Sequence, residues 1–310
     1  KISRQIVITF VYCICVCVMS QAKELNTVFQ KSRFLNIKGQ LHDFGQPKIM
    51  GILNMTPDSF FEKSRVGSET ALLKRAEELI AAGADILDIG ASSTRPAAEI
   101  QSPEEEIVRI GQSIFLLKQH FPTTLLSLDT YYGAVAQVGI DQGADLINDI
   151  SAGQFDPTLW PVVARAQIPY ILNYNRSGQQ NTANSFLTQK GIVSDALSFL
   201  SEKRAALQAL GCTDILIDPG FGFGKSLSEN HELLQKLDHL HLLGAPLLVG
   251  VSRKSMITKI LNCSPEEALN GTSILHTLAY TKGARIFRVH DVAQVKELIL
   301  LLGAQDLHEL

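Results

Sequence analysis

The sequence predicts an α/β protein, a (β/α)8 TIM barrel with a short N-terminal hairpin, and three observations carry that prediction. First, four segments resemble one another: "AAGADILDIG" (81–90), "DQGADLINDI" (141–150), "LGCTDILIDPG" (210–220) and "TKGARIFRVHD" (281–291). Each runs from a glycine through a short stretch rich in Ile, Leu and Val into polar residues. Glycine ends helices in the left-handed conformation, and a strand covered on both faces reads as a continuous apolar run. Each segment is therefore a helix-to-strand junction. Second, "KIMGIL" (48–53), "TLLSLD" (124–129), "PYILNY" (169–174) and "PLLVGVS" (246–252) supply four more strands, with room for helices in the gaps. Third, the chain has 310 residues, 45% of them hydrophobic and 19% charged, and such a barrel takes about 250 residues. An open doubly wound sheet is the weaker alternative, because no glycine-rich turn follows the first strand.

Taken in order, residues 1–30 stand apart from the barrel, which is assigned to 31–310. "IVITFVYCICVCV" (Ile6–Val18) is an apolar run behind Lys1 and Arg4. At about a dozen residues it is too short to span a bilayer, and it resembles a signal-peptide core. Met19 follows at once, and "MSQAKEL" would make an ordinary soluble start. An extension upstream of a start at Met19, a signal or anchor, and a structured helix all stay open. Residues 34–45, "FLNIKGQLHDFG", read as the hairpin, expected to plug the bottom of the barrel. In "SETALLKRAEELIAAG" (68–83), Leu72, Leu73, Ala76, Leu79 and Ile80 share one helix face. "SPEE" at 102–105 and again at 264–267 marks two helix starts, with Ser as cap, Pro in the first turn and Glu three residues on.

The net charge of −3 advertises no nucleic-acid surface, although a local basic pocket for a small anion stays open. Of the five cysteines, Cys13, Cys15 and Cys17 crowd the apolar run, and Cys212 and Cys263 are isolated. That spacing fits neither zinc nor a disulfide framework, and a reduced, cytoplasmic protein is expected.

The stretch "DPGFGFGKS" (218–226) looks like a phosphate-cradling P-loop but fails the pattern. The position five residues before Gly224 must be glycine, and here it is Pro219, which has no N–H to offer a phosphate. The stretch instead follows a strand whose last residue is Asp218, and Lys225 is read as peripheral.

In a (β/α)8 barrel the active site lies where the strands end. Those ends carry Asn54, Asp88, Asp129, Asn148 and Asp149, Asn173 to Asn175, Asp218, Ser252 to Lys254, and Arg288 with His290 and Asp291. Any one of them has an ordinary reading as a turn residue or helix cap. Eight ends converging on one mouth are another matter. Carboxylates and amides accept from ring N–H groups, and the cations Arg95, Lys254 and Arg288 suit an anion. The mixture fits a polar heterocycle that carries an anionic group.

These residues resemble the dihydropteroate synthase family of pterin-binding barrels. The matching motifs are "MGILNMTPDSF" (50–60), "STRP" (93–96), "LDT" (128–130), "NDI" (148–150), "DPGFGFGKS" (218–226), "VGVSRKS" (249–255) and "RVHD" (288–291), in the family's order over about 36–305. The resemblance implies that a 7,8-dihydropterin bearing a CH2-diphosphate condenses with 4-aminobenzoate, with Mg2+ on the departing diphosphate. It implies that Asp129, Asn148 and Asp218 orient the pterin and that Lys254 donates to the ring's acceptors. Arg288 and His290 would bind diphosphate, with Asn54 on the metal. Asp58 and Arg95 would act from loops that close over the site, Asp58 stabilising a cation-like methylene, while closure excludes water. Thr94 would join the substrate contacts, and Pro96, Phe223 and Ser252 would frame the aminobenzoate slot. Asp149 and Asp291 are read as structural. A homodimer is also implied, while the short apolar run makes a membrane partner an unexpected one.

The sequence departs from that family's pattern at two places. Ser92 stands where the family usually carries Glu ahead of "STRP", and Asn173-Tyr174-Asn175 replace a Met-His-Met run. Other readings are a pterin-barrel methyltransferase, which would not need "TPDSF", "STRP" or "SRKS", a catalytically inactive pterin-binding paralogue, and a Schiff-base aldolase using Lys254.

Overall fold

The computed structural model describes residues 33–55, 65–90, 103–177 and 191–304. The apolar run Ile6–Val18 lies outside the described residues, as do Asp58, Ser92, Thr94, Arg95 and Pro96. Strands β1 (Phe34–Ile37) and β2 (Gln40–Asp43) form the expected antiparallel hairpin. Its two turn residues, Lys38 and Gly39, both have positive φ, at 51° and 83°, the conformation whose twist matches that of the flanking strands.

Eight parallel strands follow: β3 (Lys48–Asn54), β4 (Ile86–Gly90), β5 (Leu125–Asp129), β6 (Leu146–Asp149), β7 (Tyr170–Asn173), β8 (Ile215–Asp218), β9 (Leu248–Val249) and β10 (Ile286–Val289). Their order, β8-β7-β6-β5-β4-β3-β10-β9, is that of a barrel opened at one seam. A parallel bridge between Ile217 and Leu247 spans the seam, so the barrel is nearly closed. Helices α1 (Arg65–Ala81), α2 (Pro103–His120), α3 (Gly133–Asp141), α4 (Leu159–Ala166), α5 (Ile192–Ala209), α6 (Leu227–Gln235), α7 (Ser255–Leu261), α8 (Leu269–Thr281) and α9 (Val292–Gly303) fill the connections. The four repeated junctions are built as the sequence predicts. Gly83, Gly143, Gly211 and Gly283 have φ of 105°, 110°, 95° and 86°, and each ends a helix just ahead of β4, β6, β8 or β10.

One helix start moves. "SPEE" at 264–267 forms a turn of its own, in which Glu267 accepts from the Ser264 N–H at 2.9 Å, and α8 begins only at Leu269. A start that the motif pattern overlooks is the end of "DPGFGFGKS". Ser226 caps α6 and Glu229 reaches back to its N–H, a reciprocal capping box.

Side chains alternate across each strand, and this divides the core in two. Outward residues such as Leu87, Ile147, Leu172 and Phe287 pack against the helices. Inward, Met50, Ile86, Leu146, Ile171, Leu216, Leu248 and Ile286 form a second apolar cluster with Leu35, Ile37 and Phe44 of the hairpin region. The hairpin therefore plugs the bottom of the barrel. It is tied there by Lys38, whose ammonium bonds the buried Asp145 carboxylate at 2.6 Å and the Gly143 carbonyl at 2.8 Å. Two further ties are the Asn36 N–H to Asp214 at 2.7 Å and Arg285 to the Gly45 carbonyl at 2.9 Å.

Candidate active site

Two residues beyond that apolar cluster, the same inward positions turn polar. β4 offers Asp88, β5 Ser127, β6 Asn148, β7 Asn173, β8 Asp218 and β10 Arg288. Two further on stand Asn54, Asp129, Ser252 and His290. The alternation that seals the bottom with leucine and isoleucine thus delivers the functional groups at the top.

Asp88 organises this layer. It is fully buried and accepts from Ser127 Oγ at 2.7 Å, from Asn148 Nδ2 at 3.2 Å and from Arg288 Nε at 2.6 Å. Arg288 turns its other arm to Asp129, Nη2 to Oδ2 at 2.8 Å. Its guanidinium, expected at the diphosphate, thus also bridges two carboxylates on neighbouring strands. Burial pushes the Asp129 carboxyl up, with Arg288 working against it and the carboxylates of Asp88 and Glu106 adding to it. Read from the sequence, Asp88 carries no role in substrate binding. Its signal was present, however: a lone carboxylate inside "ILDIG", on the same face as Ile86.

Asn148 spends its N–H groups on Asp88 and leaves Oδ1 buried without a hydrogen-bond partner among the described residues. Such an acceptor is suited to an incoming N–H. Asp218, 6% exposed, accepts from the Gly220 N–H at 2.7 Å and from Asn173 Nδ2 at 2.9 Å. Burial raises its carboxyl, opposed first by Lys254.

Lys254 is the N-cap residue of α7. Its ammonium donates to the Phe221 carbonyl and sits 4.5 Å from the centre of the Phe223 ring. Burial draws it down to about 8, with the Asp218 charge acting in the other direction. Lys254, Phe223 and Asp218 therefore meet at one side of the mouth. On another side, Ser252 Oγ and His290 Nδ1 lie 3.0 Å apart, so the groups read as aminobenzoate and diphosphate contacts share one corner. Next to Lys254, Arg253 adopts a left-handed φ of 57° and is ion-paired with Asp291 at the start of α9. Asp291 thus anchors the loop, and Asp149 has a comparable part on the outer face of β6. It accepts from the Tyr170 hydroxyl at 2.6 Å and from the Ser151 and Gly153 N–H groups.

Lys225 is not peripheral. Its ammonium donates to the carbonyls of Tyr174 and Gly220, both at 2.6 Å, and of Phe223 at 3.2 Å. The lysine that suggested phosphate binding instead braces the loop after β8. Gly220 is fixed by the same packing. Its φ is 64°, and a Cβ there would stand 2.2 Å from the Tyr174 carbonyl oxygen. The Asn173-Tyr174-Asn175 segment is anchored at each residue: Asn173 to Asp218, the Tyr174 hydroxyl to Asp195 at 2.6 Å, and Asn175 Nδ2 to the Ile150 carbonyl at 2.9 Å.

No group of three or more His, Cys, Asp or Glu side chains able to hold a metal occurs among the described residues. Asn54, half-buried at the end of β3, contributes a single hard amide oxygen. That donor fits Mg2+, which binds through one or two protein ligands, substrate phosphates and water. No helix among the described residues is long and apolar enough to cross a membrane.

Comparison with known proteins agrees with this geometry. Residues 50–290 match the family model of the pterin binding enzymes. The dihydropteroate synthase of Synechocystis sp. is 38% identical over 291 residues, which cover 92% of this chain and 99% of the relative. The Xanthomonas albilineans dihydropteroate synthase solved with 4-aminobenzoic acid superposes with a TM-score of 0.79 at 35% identity, covering 88% of this chain and 98% of that one. The Yersinia pestis enzyme solved with a sulfonamide drug gives a TM-score of 0.79 at 35% identity, covering 88% of this chain and 99% of that one.

Proposed function

This chain belongs to the pterin-binding enzyme family and, within it, to the dihydropteroate synthases, and from that membership we propose how its own residues carry out the reaction. It is a transferase of folate biosynthesis that condenses 6-hydroxymethyl-7,8-dihydropterin diphosphate with 4-aminobenzoate, releasing diphosphate and 7,8-dihydropteroate. The observation that carries the assignment of roles is the polar inner layer, where buried acceptors on adjacent strands face cations across one mouth.

Asp218, Asp129 and Asn148 Oδ1 accept from the N–H groups of the pterin ring, and their depth holds the ring in the barrel. Lys254 donates to ring acceptors, and its contact with Phe223 puts that ring beside the aminobenzoate. Arg288 and His290 receive diphosphate oxygens, which Arg288 meets while still anchored to Asp88. Ser252 orients His290 and borders the aminobenzoate slot, which Thr94 and Pro96 complete. Asp58 and Arg95 act from the segments that follow β3 and β4 in sequence. Asn54, together with the diphosphate oxygens, would hold Mg2+, which would supply charge neutralisation on the leaving group. The amine of 4-aminobenzoate attacks the methylene carbon as its C–O bond to diphosphate breaks, and the amine proton is lost.

Large apolar side chains exposed on the last helices, Ile260, Leu261, Ile274, Leu300 and Leu301, support a homodimer formed through that region. The reaction, together with the unpaired Cys212 and Cys263, supports a cytoplasmic enzyme. The deciding experiment is an assay of dihydropteroate formation by the purified chain, with and without Mg2+ and a sulfonamide. Mg2+-dependent product that the sulfonamide suppresses is the expected result. Binding of the pterin diphosphate without diphosphate release would identify an inactive paralogue instead.

A further inference from the structure

Asn173 stands where the family pattern has Met, and it touches the carboxylate assigned to the pterin. Asn173 and Asp218 are register partners on β7 and β8, so their side chains lie side by side on the inner wall. Asn173 Nδ2 donates to Asp218 Oδ2 at 2.9 Å, and the Gly220 N–H donates to Oδ1 at 2.7 Å. Each oxygen of the carboxylate therefore has its own donor, and together the two donors fix its tilt and rotation. Asn173 is only 1% exposed, and its Oδ1 has no hydrogen-bond partner among the described residues. A Cβ on Gly220 would come within 2.6 Å of that oxygen. Turning the amide over would set Oδ1 against a carboxylate, which only accepts, so the donor orientation is the one that fits.

We propose that Asn173 is a positioning residue. Through its Nδ2–H···Oδ2 hydrogen bond it holds Asp218 in the orientation and ionised form that accept from the N–H groups of a dihydropterin. The inference rests on the reading of Asp218 as the pterin acceptor. Lys254 ahead of α7, Lys225 in the loop after β8 and Arg288 on β10 face Asp218 as charges. Asp88 and Asp129 stand behind Arg288 and are bonded to it. None of the three cations forms an ion pair with Asp218 among the described residues, so its direct partners are two neutral N–H groups. A hydrogen bond to the charged form of a carboxyl favours that form, and a methionine has no donor to supply one. A neutral asparagine thus does here what a nearer cation would do less selectively. It anchors the acceptor without competing with the substrate for a charge.

The test uses the purified full chain with Mg2+, the dihydropterin diphosphate and 4-aminobenzoate, assayed across pH for Asn173→Met, Asn173→Asp and Asp218→Asn. Removing one hydrogen bond to a charged group in Asn173→Met is expected to raise KM for the pterin about tenfold. KM for 4-aminobenzoate should stay unchanged, and the acid limb of the kcat/KM profile should move to higher pH. The isosteric Asn173→Asp adds a like charge beside Asp218 and is expected to move that limb further, which keeps the test available should the methionine variant fold poorly. A purely structural Asn173 would lower the melting temperature and leave the acid limb in place. If Asp218→Asn abolishes pterin binding while both Asn173 variants keep the wild-type limb and pterin KM, the positioning role is refuted and the pterin site stands. If Asp218→Asn binds pterin normally, the reading of the site itself fails and the inference falls with it.

Discussion

The inner wall of the barrel changes character within two residues on strand after strand. Ile86 gives way to Asp88, Leu146 to Asn148, Ile171 to Asn173, Leu216 to Asp218 and Ile286 to Arg288. The lower layer is a dry contact sealed by Leu35, Ile37 and Phe44, and burying it stabilises the fold at about 25 cal/mol per Å2 of apolar area. The upper layer does the opposite, because each ion withdrawn from water costs several kcal/mol unless it meets a partner of good geometry. Arg288 offsets that cost for two carboxylates at once. The comparison shows a barrel that derives its stability from one layer and its chemistry from the next, with one guanidinium making the second layer tolerable.

The largest effect is therefore expected at Arg288. Arg288→Met keeps much of the side chain's bulk but leaves Asp88 and Asp129 buried without their cation. Breaking a buried pair by removing one partner costs about 3–5 kcal/mol, and the diphosphate contact is lost with it. The denaturant midpoint of unfolding and the rate of dihydropteroate formation should both fall sharply. A variant with wild-type stability would show that the two carboxylates do not depend on Arg288, and the division between layers would lose its linchpin.

A finer test uses one strand. Asp218 and Leu216 are neighbours on the inner face of β8. Asp218→Asn, like Lys254→Ala above it, is expected to lower kcat/KM by at least about a hundredfold, the scale of losing a key electrostatic contact, with little change in melting temperature. Leu216→Ala is expected to destabilise by about 2–5 kcal/mol and to leave turnover of the folded fraction nearly intact. Crossed outcomes, with Leu216→Ala abolishing turnover in folded protein or Asp218→Asn unfolding the chain at full specific activity, would break the comparison.

The sequence made much of this layering legible. Glycine-terminated helices and apolar runs recur four times in it, and the strand ends, read one by one, name Asp129, Asn148, Asp218, Lys254, Arg288 and His290. What stayed hidden is pairing across the barrel. That Arg288 reaches both Asp88 and Asp129, more than 150 positions away in sequence, depends on the closure of the sheet, and no local pattern encodes it. The part played by Lys225 is hidden from the sequence for the same reason. Its role depends on three carbonyls that converge only once the loop after β8 folds back over Tyr174. The second "SPEE" misled because its capping geometry also serves a free-standing turn.

The smallest of these effects sharpens the contrast from outside the barrel. His276 lies on α8, fully buried and edge-on to Phe287, the outward residue of β10, with ring centres 5.6 Å apart. Neither ring nitrogen has a hydrogen-bond partner among the described residues. In the upper layer, the Asn148 and Asn173 oxygens, without partners among the described residues, border the proposed substrate site, but no substrate role reaches His276. Burial pushes its imidazole down to about 4, with Asp291 acting weakly the other way. Because the folded value lies below the unfolded one, His276 imposes no proton-linked penalty above about pH 6.5. As pH falls below that, the unfolded chain binds a proton that the folded chain excludes, and stability drains until the pH passes below the folded value. The shift bounds the loss at about 3 kcal/mol. Because surface carboxylates also titrate there, the informative quantity is the difference from His276→Leu. Melting temperatures measured from neutrality to about pH 4 should fall less steeply for the variant than for the wild type. Parallel curves would mean that His276 finds a partner in solution.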